Sequence, residues 1–194
     1  VMSVFGDEIL NTNSKGFRGV KDYPYTKDHR KPRILVVGDS FTFGDEVSDD
    51  ETYASYLQRF LPGAEVINVG VHGYGHDQML LLLRDEGLRY HPDVVLIGFV
   101  PMDMSRNMLG FRDFAKPHYV LRGGKLVLRG TPVPLPEEVL RSDWVRPRIL
   151  DVAELLRFHF MEATGQHRRD MEKITAALLV KMISVLESAG ALPV

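Results

Sequence analysis

One serine in this sequence stands where it could do chemistry. In "ILVVGDSFTFGDEV", Ile34 to Val47, an apolar run stops abruptly at Gly38-Asp39-Ser40. A serine hydroxyl is a weak nucleophile unless a base takes its proton. Acyl transfer through it also needs fixed N–H donors for the oxyanion of the tetrahedral intermediate. Ser40 could offer its own backbone N–H. Two further polar stretches follow apolar runs: "NVGVHGYG" (68–75) and "PMDMSRN" (101–107). Gly70, lacking a side chain, lets its N–H approach a ligand closely. Asn107 offers a side-chain amide. The plain alternative is that these are ordinary strand-to-helix turns, whose glycines serve only tight backbone geometry.

Other chemistries fit worse. A phosphate-binding loop needs a Lys-Ser/Thr pair after its last glycine, and "GDSFTFGDE" has acidic residues there. Gly70, Gly73 and Gly75 lack dinucleotide-binding spacing. The nucleophile elbow G-x-S-x-G is missed, because Thr42 fills its last position. The seven histidines show no H-E-x-x-H spacing, His72 and His76 are separated by two glycines, and cysteine is absent. No metal and no cofactor is therefore expected. The charge of -2 gives no broad field for nucleic acid. No apolar run reaches the ~18 residues that would read as a membrane span. "VMSVFGDEIL" is too mixed for a signal peptide, and localisation is not decided by this chain.

The elements that must position these residues can be read from hydrophobic patterning. "RILVV" (33–37), "AEVINV" (64–69) and "DVVLIGFV" (93–100) read as strands buried on both faces. Helices are expected near 51–60, 76–90, 148–163 and 168–188. In the last of these, Met171, Ile174, Leu178, Met182, Val185 and Leu186 share one face. Strands alternating with helices imply an α/β fold: a three-layer α/β/α, flavodoxin-like doubly wound parallel sheet. Residues 1–32 read as an irregular lead-in. Residues 108–147 read as an insertion beside the sheet, with Gly123-Gly124 turning a β-hairpin over 118–129. "ALPV" (191–194) reads as the first residues of a fourth strand. One domain over 1–194 is expected. In such sheets ligands bind beyond the carboxyl ends of the strands, so the three polar loops should meet there.

At these loops the sequence resembles the SGNH hydrolases, also called GDSL-like esterases and lipases. "VVGDSFTFGDEV" is similar to the family's first block, with Ser40 at the nucleophile position. "INVGVHGYGHDQ" is similar to the second, with Gly70 at the glycine that gives an oxyanion-hole N–H. The third block usually reads G-x-N-D; here Pro101-Met102-Asp103 stands there, so Met102 replaces the oxyanion-hole Asn and Asn107 is only a weak substitute. The lead-in "NTNSKGFRG" and the hairpin resemble one bacterial branch of the superfamily. The resemblance implies a serine acyl-ester hydrolase acting on a small-molecule or glycan ester, a carbohydrate O-acyl ester among the possibilities. The alternatives are a non-catalytic binding module of the same fold or an inactive fragment.

The family's acid and base come from a D-x-x-H motif near the C-terminus, and no D-x-x-H occurs in these 194 residues. The expectation is a chain truncated before that block, with the sheet incomplete. His72 and His76 lie on the correct edge, but a loop that turns Gly70 into an oxyanion hole would have to cover both sides of a substrate. No histidine is therefore expected within hydrogen-bond reach of the Ser40 hydroxyl.

Overall fold

The computed structural model describes residues 2–5, 8–144 and 147–194. It opens with a short antiparallel pair, β1 (Met2–Phe5) and β2 (Glu8–Asn11). The lead-in is thus not wholly irregular; its residues carry no alternation long enough to betray a hairpin. β3 (Arg33–Val37) then runs into α1 (Ser40–Phe43), and α2 (Tyr53–Phe60) leads to β4 (Glu65–Asn68). α3 (His76–Asp85) passes through a 3-10 turn at Gly87–Tyr90 to β5 (Val94–Ile97) and the short α4 (Asp103–Arg106). The chain continues through β6 (His118–Arg122), β7 (Lys125–Arg129), α5 (Pro136–Trp144), α6 (Ile149–Ala163) and α7 (Gln166–Ser188) to β8 (Leu192–Pro193).

Four strands form one parallel sheet in the order β4-β3-β5-β8. Its register puts Leu35 beside Ile67 on one side and Val95 on the other. Numbered along the sheet's own chain order, that is second, first, third, fourth: the flavodoxin-like winding. Helices α3 and α7 cover one face, burying Met79, Leu83, Ile174, Leu178, Met182 and Leu186 with Leu35 and Ile67. α2 covers the other, with Ala54 against Ile34, Val36 and Val66. The fold is a three-layer α/β/α sandwich. The β6–β7 hairpin turns at Gly123 and Gly124, both left-handed at φ 56° and 75°, as a two-residue loop requires. It packs outside α3 and α7, with Tyr119 buried in the main core. No helix among the described residues is long and apolar enough to cross a membrane.

Three glycines end the first three strands of the sheet, and all three meet Thr42 of α1. A Cβ on Gly38 would lie 1.9 Å from the Thr42 Oγ1, and one on Gly98 2.5 Å from the same atom. A Cβ on Gly70 would lie 2.5 Å from the Phe43 backbone N and 2.8 Å from Thr42 Cγ2. Thr42 is 2% exposed, and its hydroxyl accepts a 2.9 Å bond from the Tyr53 hydroxyl. Overpacking of this kind costs about 1–3 kcal/mol. Gly98→Ala and Gly70→Ala should each destabilise the fold by about that much. Thr42→Ala should rescue Gly98→Ala, whose obstacle is a side-chain oxygen. It should not rescue Gly70→Ala, whose obstacle is backbone. Urea unfolding of the singles and doubles measures this, and equal rescue of both would refute the socket.

Candidate functional site

Ser40 is the first residue of α1, so its backbone N–H faces no preceding helical carbonyl. It donates to nothing among the described residues, and neither does the Ser40 hydroxyl make a hydrogen bond there. Asp39 caps the helix from the position before. One of its carboxylate oxygens accepts from the Phe41 N–H at 3.0 Å, the other from Arg106 Nη1 at 3.0 Å. Gly44 closes the helix in the left-handed conformation, its N–H returning to the Ser40 carbonyl at 2.8 Å. The serine therefore sits on a one-turn helix fixed at both ends, at the carboxyl edge of the sheet. A cavity of about 390 Å³ opens there, running from Ser40 and Phe41 along residues 44–47 to His72.

The other anticipated site residues are placed differently. The Gly70 N–H donates to the Asn68 side chain at 3.0 Å, while the Asn68 amide donates to the Thr42 carbonyl at 2.7 Å. Gly70 thus lets α1 approach, and its N–H would be free for a ligand only by leaving Asn68. Met102 is 54% exposed, with its sulfur 3.6 Å from Arg106 Nη2; a thioether offers no N–H. Asn107 is fully buried, and its amide donates to His76 Nδ1 at 3.2 Å and to the Thr175 hydroxyl at 2.9 Å. That amide is spent inside the helix layer, because the α4 turn carries Asn107 inward toward α3 and α7. It is no oxyanion donor in this arrangement, and neither Gly70, Met102 nor Asn107 lines the cavity at Ser40.

Two arginines that sequence reasoning missed hold the site. Arg106 joins the strand-three loop to the Ser40 turn, bonding Asp39, the Tyr74 carbonyl at 3.2 Å and Asp103 at 2.5 Å. Arg18, from the lead-in, donates to the carbonyls of Gly44 at 3.0 Å and Val47 at 2.7 Å, and pairs with Asp49 at 2.9 Å. It supports the cavity wall from beneath. The one signal that could have found them is a cation in a polar turn near a strand end.

His72 comes to this cavity without a bond to the Ser40 hydroxyl. It lines the Ser40 cavity, and its Nδ1 is hydrogen-bonded to the Asp45 carboxylate. It is not bonded to Ser40. His76 is sealed instead in the core: Asn107 donates to its Nδ1, so Nε2 carries the proton and has no partner among the described residues.

Comparisons with known proteins add little. No protein-family profile matches the chain, and no curated protein matches it. Among solved structures it is similar to a mutant of the esterase AlinE4, with 24% identity and a TM-score of 0.36 over 42% of this chain. The chain spans 46% of that protein's length. The fold rests on strand order and layering.

Two buried groups behind Ser40 titrate abnormally and in opposite senses. Burial, then the negative Asp39 beside it, pushes Asp103 up to about 7 against the pull of Arg106. Burial pulls His76 down to about 4, against its Asn107 bond and Asp39. Folded Asp103 holds its proton more tightly than unfolded. Its contribution to stability is complete below pH 3.8 and lost as pH rises through about 7. Folded His76 holds its proton more weakly. Its contribution is complete above pH 6.5 and lost as pH falls through about 4. Between those limits the two slopes oppose. Asp103→Asn should therefore expose a loss of stability on acidification. His76→Gln should leave stability falling as pH rises. Each slope is on the order of 1 kcal/mol per pH unit. Urea unfolding at stepped pH reads both, and variants with the wild-type slope would contradict the assignment.

Proposed function

We propose that this chain carries the nucleophile, Ser40, of a serine ester hydrolase of the SGNH type. Its substrate class would be a small-molecule or glycan acyl ester, with carbohydrate O-acyl esters included. The observation that carries the reading is the nucleophile turn itself. A half-buried serine, with both its hydroxyl and its N–H unpartnered, stands at a cavity on the carboxyl edge of a sheet in flavodoxin order. The resemblance of "VVGDSFTFGDEV" and "INVGVHGYGHDQ" to the family's first two blocks supports it. In this reading Ser40 Oγ attacks the ester carbonyl, and the Ser40 N–H stabilises the oxyanion. The Gly70 N–H would join only by exchanging its Asn68 bond.

Met102 and the engaged Gly70 favour a second reading, a binding module that keeps the fold and the pocket without the chemistry. Losing one oxyanion donor typically costs about 100- to 1000-fold in rate, so a weak esterase and a binding module lie close together. Turnover of a short aryl ester and of an acetylated saccharide, by wild type and by Ser40→Ala, separates them. The esterase reading expects measurable wild-type turnover that Ser40→Ala abolishes. The module reading expects saccharide binding with no turnover in either protein.

A further inference from the structure

We propose that α6 pairs with the α6 of a second copy of this chain, antiparallel about a two-fold axis. The helix carries an apolar seam on the face turned away from the fold, and nothing among the described residues buries it.

α6 is apolar on two opposite faces. Over its fifteen residues it buries none. One face rests on α7, where the Phe158 ring meets that of His167 at 5.3 Å. At about 100° per residue, Ile149, Val152, Leu156 and Phe160 fall on the opposite side. Their intervals of three and four are those of a helix-pairing seam. Each is at least 51% exposed. Ala153 and Ala163 lie on the same side and let a second helix approach closely. A helix apolar on both sides is ordinarily a buried one.

The area suits a second copy. Leu150 and Leu155 flank the seam, and Trp144, at the end of α5, is 89% exposed. With the four seam residues, each leaving about 100 Å² in water, they offer roughly 700 Å² per copy, close to the ~800 Å² that each partner of a standard interface buries.

Charge separates the occupants. α6 carries three acids, Asp151, Glu154 and Glu162, against one cation, Arg157. Helices that lie on an anionic lipid surface gain from Lys and Arg on their polar face, so that surface is disfavoured. A second copy fits. Run antiparallel, with the axis between Ala153 and Leu156, the seam sets Ile149 against the partner's Phe160 and Ala153 against the partner's Leu156. Glu154 and Arg157 stand on one flank of the helix, and the two-fold axis keeps that flank on the same side in both copies. Each Glu154 then comes within reach of the partner's Arg157, giving two opposite-charge contacts from one pair of residues. In a two-fold interface one patch serves both copies, so the pairing closes and covers both seams.

The test is the solution mass of the intact chain by light scattering across the micromolar range. The wild type should reach twice the monomer mass. Leu156→Glu puts a charge in the seam at an exposed site. It should leave circular dichroism and urea unfolding unchanged and weaken association by about tenfold or more. Arg157→Glu should weaken it too, and Glu154→Arg with Arg157→Glu should restore it. The sequence has no cysteine, so single cysteines report the geometry cleanly. Ala153→Cys, near the axis, should oxidise to a linked dimer. Ala163→Cys should not, because an antiparallel pair holds the two copies of that position about 25 Å apart along the helices, and a disulfide needs Cα atoms within about 7 Å. A wild type that stays monomeric would overturn the proposal, and its binding to phosphatidylcholine vesicles would assign the seam to lipid instead. A dimer indifferent to Leu156→Glu, linkage at Ala163→Cys, or a mass that climbs past two copies would also overturn it.

Discussion

The placement of every group near Ser40 depends on Thr42 packing into a socket of three strand-end glycines. Gly38, Gly70 and Gly98 belong to three neighbouring strands, yet each would collide with the same turn if it carried a side chain. The turn can sit directly on the sheet edge only because no Cβ stands between. Its buried hydroxyl then finds a partner in Tyr53, which avoids the penalty of about 1–3 kcal/mol for an unsatisfied buried polar group. Asn68 completes the attachment, accepting from Gly70 and donating to the Thr42 carbonyl. The socket also accounts for the absent G-x-S-x-G elbow. The position two residues after the serine is filled by the residue that docks the turn, and the glycines stand on the strands instead.

The parts of this arrangement legible in sequence are those whose cause is local. Continuous β-branched runs mark β3, β4 and β5 because both faces of the sheet are covered. The hairpin followed from a Gly-Gly pair that only a left-handed turn accommodates. The serine was visible because a polar turn interrupts an apolar strand. The sequence read α3 as running to Tyr90, but the helix ends at Asp85; Gly87 packs close to Leu35 and Leu83, and the last turn tightens to 3-10. That break comes from tertiary packing, to which helical periodicity is blind.

What could not be read are the long-range partners. Arg106 and Asp39 are 67 residues apart, and Arg18 and Gly44 are 26 apart. Nothing in "SRN" or "GFRG" says which carboxylate or carbonyl each guanidinium will find. Asn107 shows the converse. Its type suited an oxyanion donor, but α4 rotates it into the helix layer, where His76 and Thr175 satisfy it. Residue type limits what a side chain can do; the helix face it occupies decides what it does.

The charge beneath Ser40 follows from the same long-range contacts. Asp39 is fully buried one residue before the serine, and a lone carboxylate there would oppose any negative charge developing above it. Arg106 answers that charge at 3.0 Å, in the loop where the resembling family would place an amide donor. One half-buried guanidinium shared between Asp39 and Asp103 cannot neutralise both carboxylates. Burial, then the negative Asp39 beside it, raises Asp103 to about 7 against the pull of Arg106. The loop that carries Arg106 therefore fixes what lies behind the Ser40 turn, through one guanidinium held between Asp39 and Asp103.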